Sequence, residues 1–440
     1  MSNLMSSSRA RLARLLPKGR FARDVGKLAG GAALGQLVVI LATPVITRLY
    51  TPADFGVLAV FTTLLGITAA MVSLRYELAI PLADDDAEAA NLLAVCLLLC
   101  VAVSGLLLVA VLVLGASLTR LTNSPSLEPY LWMLPLAVFL AGVYQSLNYW
   151  LTRVKRFGPV ATTKFSQGFG NALTAIGLGL LHAQPLGLLV GQLVGQSAGT
   201  TTLARAGWQS GLAVLRGSVG REAMTAAARK FRRFALYSTP SSLINNIGLW
   251  VPPLLFAGLY GPAVAGLVAL GDRVARQPLN ILGLSIAQVY YSEAGSLASR
   301  PQELKRLFLR TAFSLLRVGA VPFALAALLS PWLFGLVFGL EWRSGGVYVQ
   351  WMALAFFAQF VMTPLSGTLN ALQRPDLQAA WDVARLVLVV GGIWLCHNLG
   401  GSPEAAFAIY GGGLTLSYLL LFALSYWALE RRALSTGVDS

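Results

Sequence analysis

The chain has 440 residues, of which 56% are hydrophobic and 12% are charged, and its mean hydropathy is +0.68. Soluble domains carry about 25% charged residues, so this composition excludes a soluble protein and predicts an all-α polytopic membrane protein. The formal net charge of +15 does not indicate a nucleic-acid partner, because the basic residues lie between apolar segments and not on a soluble domain with stacking aromatics.

The apolar segments predict twelve transmembrane helices in two six-helix lobes around a central cavity. We expect a basic cytoplasmic N-terminal segment at 1–27, an N-lobe at 28–204, a basic cytoplasmic linker at 205–233, a C-lobe at 234–428 and a cytoplasmic tail at 429–440. The spans are predicted at 28–48, 55–75, 88–115, 129–151, 158–181, 185–204, 234–258, 262–290, 307–338, 346–371, 378–398 and 403–428.

The distribution of basic residues predicts the orientation of these spans. With the N-terminus in the cytoplasm, 25 of the 33 Lys and Arg residues fall on the cytoplasmic side and three on the other side. Cytoplasmic segments of membrane proteins carry such an excess of Lys and Arg. The sequence therefore predicts a multi-pass membrane protein with both termini in the cytoplasm.

The two lobes share a sequence repeat. LYTPADFGVLA over Leu49–Ala59 and LYGPAVAGLVA over Leu259–Ala269 are identical at six of eleven positions, at a constant offset of 210. Each copy links the first and second spans of its lobe, so the lobes are expected to have the same topology. Parallel repeats of this kind are typical of transporters, whose substrate path lies at the repeat interface.

The eighth span carries three charged residues well inside the membrane: Asp272, Arg273 and Arg276. A charge at that depth costs several kcal/mol unless it faces a partner or water, so it usually marks a substrate or ion path. Asp272 and Arg276 are four residues apart and can pair on one helical face, whereas Arg273 has no partner at that spacing. A structural ion pair that locks two helices is the alternative interpretation.

Further polar residues lie on the spans that border the predicted cavity. Arg317 is near the middle of the ninth span, and Lys164 is one to two turns inside the fifth. The amides are Gln145, Asn148, Gln167, Asn171, Asn245, Asn246 and Gln359. Cations and amides together suit an anionic, hydroxyl-rich ligand, although single amides often only join helices.

The charged and polar residues of the spans do not form a catalytic or metal-binding motif. The G-x-S-x-G pattern at Gly195–Gly199 lies within an apolar helix, whereas a hydrolase needs it at a strand-to-helix turn. The sequence contains no P-loop or zinc-ligand pair, and the predicted outer loops are short. We therefore expect a protein that is not an enzyme and that needs no cofactor or metal.

Three segments, PVITRLYTPADFGVLAVF (44–61), LRYELAIPLADDDAEAANL (74–92) and DRVARQPLNILGLSIAQVYYSEA (272–294), resemble the Wzx-type polysaccharide-synthesis transporters. These are flippases for undecaprenyl-pyrophosphate-linked oligosaccharides and are similar to multidrug and toxin extrusion transporters and lipid II flippases. The resemblance implies a cavity that opens alternately to either side of the membrane. It also implies that cavity cations hold the pyrophosphate. In this sequence the residues that match these cavity cations are Arg273 and Arg276, with Arg48, Lys164 and Arg317 as further candidates.

The resemblance implies the bacterial inner membrane as the location and O-antigen or exopolysaccharide synthesis as the pathway. Membrane lipids, a glycan polymerase and a chain-length regulator are the candidate partners. Asp272 is the candidate for coupling to an ion gradient. The alternative is a cation-coupled multidrug exporter of the same superfamily. That alternative predicts an acidic cavity, whereas the charges inside the spans here are mostly basic.

Overall fold

The computed structural model describes residues 20–212, 216–297, 300–372 and 374–437, and this part of the chain is almost entirely helical. The first half contains α1 (Arg20–Leu49), α2 (Pro52–Ala69), α3 (Asp86–Leu121), α4 (Met133–Arg153), α5 (Phe157–Leu180), α6 (Leu186–Ser197), α7 (Thr200–Gly207) and α8 (Arg221–Lys230). The second half contains α9 (Thr239–Tyr260), α10 (Pro262–Gly271), α11 (Gln277–Ser296), α12 (Pro301–Phe338), α13 (Arg343–Leu365), α14 (Gly367–Ala371), α15 (Pro375–Leu386), α16 (Gly392–Asn398) and α17 (Pro403–Gly437).

Several spans consist of two helices that follow one another with a short interruption. A π turn at Asp272–Arg276 joins α10 to α11, and another at Val387–Gly391 joins α15 to α16. The α6–α7 and α13–α14 pairs are separated by one or two residues. With each such pair counted once, and with the short helix α8 between the lobes set aside, the described residues form six spans in each half. Among the described residues, seven helical stretches are each long and apolar enough to cross a membrane, and two of them, Leu340–Ala371 and Pro375–Asn398, include such a pair. The predicted all-α, multi-pass fold is confirmed.

The boundaries of some predicted segments differ from the structure. The second span, expected at 55–75, ends at Ala69, and a 3₁₀ helix occupies Tyr76–Leu82. The expected tail at 429–440 continues the last helix as far as Gly437. Most of the expected segment 1–27 lies outside the described residues.

The repeated turn precedes a helix in each lobe, and the N-terminus of that helix is formed differently in the two copies. In the first copy Thr51 accepts a hydrogen bond from the Asp54 amide, and the Asp54 carboxylate accepts one in return from the Thr51 amide at 2.8 Å. This capping box starts α2, with Pro52 at the first helical position. In the second copy Gly261 takes the place of the threonine with φ of 92°, a conformation that favours glycine, before Pro262 starts α10.

The starts of α2 and α10 pack directly against each other and join the two lobes. A Cβ atom added at Gly56 would lie 1.8 Å from the Pro262 carbonyl oxygen, and one added at Gly266 would lie 1.8 Å from that of Pro52. Gly56 and Gly266 are 210 residues apart, as are Pro52 and Pro262. The contact is therefore reciprocal, as a two-fold relation between the lobes produces. We call this contact the glycine seam.

The linker between the lobes contains an amphipathic helix that packs on the N-lobe. The Lys230 ammonium at the end of α8 lies 2.8 Å from an Asp84 oxygen and 2.6 Å from a Glu88 oxygen. Ala227 of the same helix is buried against the N-lobe. The hydrogen bond from Lys230 lowers the pKa of the Asp84 carboxyl below its ordinary value. Part of the expected 205–233 linker is therefore fixed to one lobe.

Candidate functional site

A cavity of about 530 Å³ lies between the lobes. Its N-lobe wall comes from α1, α2, α5 and α6, and its C-lobe wall comes from α9, α10, the π turn and α11. The lining residues are Ala32, Gly35, Gln36, Val39, Phe55, Leu58, Ala59, Thr62, Lys164, Gln167, Gly168, Asn171, Gln192, Gly195, Gln196, Trp250, Ala269, Arg273 and Gln277. Its volume falls within the range of about 300–1,000 Å³ that is usual for small-molecule sites.

Lys164 is the cation that the N-lobe contributes to this cavity. It lies on α5, which packs closely on α1 because glycines face backbone atoms. A Cβ added at Gly35 would lie 2.3 Å from the Lys164 carbonyl oxygen. The Lys164 ammonium is 3.3 Å from the Gln167 side-chain oxygen and 4.9 Å from the centre of the Tyr144 ring. Among the described residues no carboxylate pairs with it, so it keeps its positive charge available to a ligand.

Arg273 is the cation that the C-lobe contributes. It follows Asp272 in the π turn that interrupts the eighth span. Its side chain lines the central cavity and makes no hydrogen bond or ion pair with the described part of the chain. Arg273 and Lys164 thus place one unpaired positive charge on each lobe of the same cavity.

Arg276 lies elsewhere, although the sequence grouped it with Arg273. Its guanidinium is 3.2 Å from an Asp272 oxygen, and Tyr348 donates a hydrogen bond to the other Asp272 oxygen at 3.0 Å. It lines a separate cavity of about 50 Å³ within the C-lobe, which Arg385 also lines. The predicted four-residue pairing is therefore present, and it draws Arg276 away from the central cavity.

Side-chain amides supply most of the remaining polar surface of the central cavity. Gln36 of α1 donates a hydrogen bond to Gln277 of α11, which connects the two lobes across the cavity. The other amides on the wall are Gln167, Asn171, Gln192 and Gln196. Of the described lining residues two are cationic and none is acidic, so the cavity has a net positive charge.

Aromatic residues close the cavity at the end nearest the glycine seam. Phe55 lines the cavity and packs edge-on against Trp342 of the C-lobe, with ring centres 4.8 Å apart. The Trp342 indole nitrogen donates a hydrogen bond to the Thr47 carbonyl at 2.9 Å, and both residues are buried. A second inter-lobe contact thus lies beside the seam, at the end that the sequence predicts to face the periplasm.

Two other predicted cations lie on exposed surfaces. Arg317 is exposed on α12, among outward-facing apolar side chains such as Val318 and Val321. Arg48 is exposed in the last turn of α1. Neither residue lines the central cavity.

The predicted amides at 145, 148 and 246 do not line the central cavity either. Gln145 donates a hydrogen bond to Glu77 at 3.2 Å. Asn246 donates one to the Ser242 carbonyl at 2.7 Å, within its own helix. The side-chain oxygen of Asn148 is buried without a hydrogen-bond partner in the described part of the chain, and the side chain of Asn245 lies outside it.

Sequence reasoning missed several cavity residues and one buried acid. Gln277 is four residues after Arg273, a spacing that places both on one helical face, and Gln192 and Gln196 share the same spacing. Glu77 is 1% exposed and lies 3.6 Å from the Arg75 guanidinium. Its place in the 3₁₀ helix after α2, outside any predicted span, is why periodicity did not reveal it.

Two six-span lobes that meet at a reciprocal helix contact and enclose a cationic cavity define the class: a two-lobe membrane transporter fold. The inward-closed conformation of the lipid II flippase MurJ matches with a TM-score of 0.71 at 8% identity, over 93% of this chain and 90% of MurJ. The inward-facing conformation of a MATE-family multidrug resistance transporter of the MOP superfamily matches with a TM-score of 0.67 at 15% identity, over 90% of this chain and 96% of that transporter.

The sequence identifies the family more narrowly. The pattern of the family described as "polysaccharide biosynthesis protein" matches residues 45–345, so the chain belongs to that family. The lipopolysaccharide biosynthesis protein WzxC of Escherichia coli (strain K12) is 25% identical over 344 residues. That alignment covers 75% of this chain and 65% of WzxC. The sequence-based resemblance to Wzx-type transporters is confirmed.

Proposed function

We propose that this protein is a flippase that moves a lipid-linked oligosaccharide across the membrane, with the anionic phosphate linker held in the central cavity. The observation that carries the proposal is the charge of that cavity. Lys164 and Arg273 face it without carboxylate partners, and no described lining residue is acidic. Unpaired cations inside a membrane protein are costly unless they face water or an anionic ligand.

The rest of the cavity wall suits the sugar part of such a substrate. Arginine can bind two phosphate oxygens at once, whereas lysine acts as a compact point charge. Side-chain amides both donate and accept hydrogen bonds, as the hydroxyl groups of a sugar require. An undecaprenyl-pyrophosphate-linked repeat unit, the class of substrate predicted from the sequence, combines these two chemistries.

A multidrug exporter for cationic compounds is the competing function within this fold. Such a compound would enter a cavity that already carries two unpaired positive charges, and like charges at close range repel. The similarity to a MATE transporter concerns the fold and does not require the same substrate. The positive cavity therefore favours an anionic substrate.

The closed glycine seam supports a transport cycle with two accessible states. The seam and the Trp342 contact close one end of the cavity, the end predicted to be periplasmic. In the proposed cycle this is the inward-facing state, and separation of α2 from α10 opens the other side. Coupling through Asp272 stays a prediction, as do the inner membrane, the glycan polymerase and the chain-length regulator.

The test is substrate binding and flipping by purified protein. Arg273→Gln and Lys164→Gln should each weaken binding of undecaprenyl pyrophosphate by roughly tenfold or more, since each removes one charge-assisted contact. The matched control is Arg317→Gln, which removes an exposed cation that does not line the central cavity and should bind normally. Flipping of a fluorescent lipid-linked oligosaccharide in liposomes should likewise be slower in Arg273→Gln and Lys164→Gln and normal in Arg317→Gln.

Equal binding by wild type, Arg273→Gln and Lys164→Gln would remove the cavity from the substrate path. Tighter binding of a cationic drug than of undecaprenyl pyrophosphate would favour the exporter instead. All variants should first be matched for folded protein by size-exclusion chromatography.

A further inference from the structure

Trp250 lines the central cavity at mid-depth in the predicted membrane. It lies on α9, is 37% exposed and forms part of the cavity wall. Its position is ten residues before Tyr260, the end of α9, which is about 15 Å by helical rise. That distance places it near the middle of a hydrocarbon core about 30 Å thick. Exposed tryptophans usually anchor helices at the membrane boundary, so anchoring does not explain Trp250.

The indole ring of Trp250 lies flat against a glycine of the other lobe. A Cβ atom added at Gly66 of α2 would lie 2.7 Å from Cε2 of the indole, 3.0 Å from Nε1 and 3.1 Å from Cδ2. Cε2 is bonded to ring atoms on every side, so an atom in the ring plane cannot have Cε2 as its nearest neighbour. The added atom therefore lies above the ring, and Gly66 covers one face of the indole.

The other face of the indole is left for the cavity. Because Gly66 covers one face, the exposed part of Trp250 includes the opposite face. Thr62 lies one turn before Gly66 on α2 and lines the same cavity. The indole thus continues the wall that α2 forms, as a flat aromatic surface.

The indole nitrogen adds a hydrogen-bond donor to this surface. In the described part of the chain, Nε1 of Trp250 has no hydrogen-bond partner. The buried Trp342 and Trp381, by contrast, donate to the carbonyl oxygens of Thr47 and Ser417 at 2.9 and 2.6 Å. Tryptophan inside a protein usually has such a partner. The N–H group of Trp250 is therefore available to a ligand.

Trp250 lies at about the same depth as the C-lobe cation. The consecutive spans that carry them, α9 and α10, are joined at Gly261, and Arg273 is eleven residues after Pro262. Both side chains are thus about 15 Å from this turn by helical rise. Both also line the central cavity. A group linked directly to a phosphate at Arg273 would meet the indole.

A sugar ring has the chemistry that fits this surface. The C–H groups on one face of a pyranose ring carry a slight positive charge, and the face of an aromatic ring is negative. The hydroxyl groups at the edge of the sugar can accept a hydrogen bond from the indole N–H. A cationic group would also be attracted to an indole face, but Lys164 and Arg273 repel it from this cavity.

We propose that Trp250 is the platform on which the sugar next to the phosphate linker stacks during transport. The proposal rests on the flippase function proposed above. It assigns recognition of the sugar to a residue separate from Lys164 and Arg273, which would hold the phosphate. Trp250 would thus allow the transporter to distinguish a glycosylated lipid carrier from the bare carrier.

The experiment measures binding of two lipids by the purified full-length protein: undecaprenyl pyrophosphate alone and undecaprenyl pyrophosphate that carries one hexose. The ratio of the two dissociation constants is the gain from the sugar. Trp250→Leu should lower this gain roughly three- to tenfold, the usual effect of one aromatic stacking contact, and leave binding of the bare lipid unchanged. Trp250→Phe should keep part of the gain, because it keeps an aromatic face and loses the N–H donor.

Trp394→Leu is the matched control, since Trp394 is 56% exposed and does not line the central cavity. It should keep the full gain from the sugar. Three results would overturn the proposal: an undiminished gain in Trp250→Leu, an equal weakening of both lipids in that variant, or the same loss of gain in Trp394→Leu. Normal binding of the bare lipid by Trp250→Leu also shows that the variant is folded.

The sugar platform and the phosphate site can fail separately. If Arg273→Gln and Lys164→Gln bind the bare lipid normally while Trp250→Leu loses the gain, the phosphate site is wrong and the platform stands. A wild-type protein that binds both lipids equally would overturn the platform and leave the phosphate site in place. Loss of ethidium binding in Trp250→Leu with the gain intact would assign the indole to a cationic ligand and overturn the proposal.

Discussion

Gly56 of α2 and Gly266 of α10 make the same contact from opposite lobes, each with its hydrogen-bearing Cα against the carbonyl oxygen at the start of the other helix. In both contacts a Cβ atom added to the glycine would lie 1.8 Å from that carbonyl oxygen. Close backbone approach of this kind is what small residues permit at helix crossings in membranes. The sequence repeat at offset 210 is therefore also an inter-lobe contact.

We expect Gly56→Ala and Gly266→Ala each to destabilise the closed seam by a similar amount, about 1–3 kcal/mol, the usual cost of overpacking. The rigid obstacle is a backbone carbonyl, which has no rotamer to change. Gly177→Ala in α5 is the control, because nothing lies within 4 Å of a Cβ added there. Alanine should be neutral or stabilising at that position. Thermal unfolding in detergent measures all three, and a Gly56→Ala protein as stable as Gly177→Ala would contradict the close contact.

Trp342→Phe should shift the protein toward opening at the seam end. It keeps an aromatic ring against Phe55 but removes the hydrogen bond to the buried Thr47 carbonyl, at a cost of about 0.5–1.5 kcal/mol. The readout is labelling of Thr62→Cys in the cavity wall by a membrane-impermeant maleimide added outside cells. The natural cysteines are buried, so they contribute little background.

Labelling of Thr62→Cys should rise in the Trp342→Phe background. Trp394→Phe is the control, since that indole is 56% exposed. The same increase in the control would show a general loosening of the protein and not release of a specific contact.

Much of the fold could be predicted from the sequence because membrane insertion leaves a strong hydropathy signal. The repeat also located the helix starts that meet at the seam. The site was predicted only in part. Depth in the membrane indicated that Arg273 and Arg276 are unusual, but depth does not say which side of a helix faces a cavity. On a regular α-helix, positions three apart lie only about 60° from each other, so the sequence grouped the two arginines. In the structure both lie in a π turn, where Arg276 pairs with Asp272 and the two side chains line different cavities.

The same limit explains the other misplaced candidates. Arg317 has a mid-span position in the sequence, yet its side chain on α12 is exposed and does not line the central cavity. For Lys164 the sequence offered only its depth in the membrane as evidence. In the structure the glycine contact between α1 and α5 places Lys164 on the cavity wall. Which helix packs on which face is decided by long-range contacts that a single sequence does not display.

The pairing of α8 with the N-lobe should depend on pH and salt. Since Lys230 lowers the pKa of Asp84, the contribution of this carboxylate is complete above its ordinary pKa of about 4 and is lost as the pH falls through the lower folded value. We expect an environment-sensitive fluorophore at Met224→Cys to report release of α8 below about pH 4. Release near pH 7 should require high salt, because exposed ion pairs are screened.

Lys230→Gln should release α8 at neutral pH and low salt, where wild type keeps it bound. Arg221→Gln at the other end of α8 is the matched control, since Arg221 forms no ion pair with the described residues. If both substitutions change the fluorescence equally, the contacts of Lys230 with Asp84 and Glu88 do not hold the helix.

Asp272→Asn should lower the stability of the protein, whereas Arg273→Gln should lower substrate binding. Asp272→Asn leaves the half-buried Arg276 without its carboxylate, and breaking a buried pair in this way costs about 3–5 kcal/mol. Arg273→Gln removes a cation that has no described partner, so stability should be kept while binding of undecaprenyl pyrophosphate falls. The double variant Asp272→Asn/Arg276→Gln should recover much of the lost stability, because neither charge is then left alone. Thermal unfolding and lipid binding on the same preparations separate these effects. A stable Asp272→Asn protein that binds substrate normally but no longer responds to an ion gradient would show instead that Asp272 is the coupling residue.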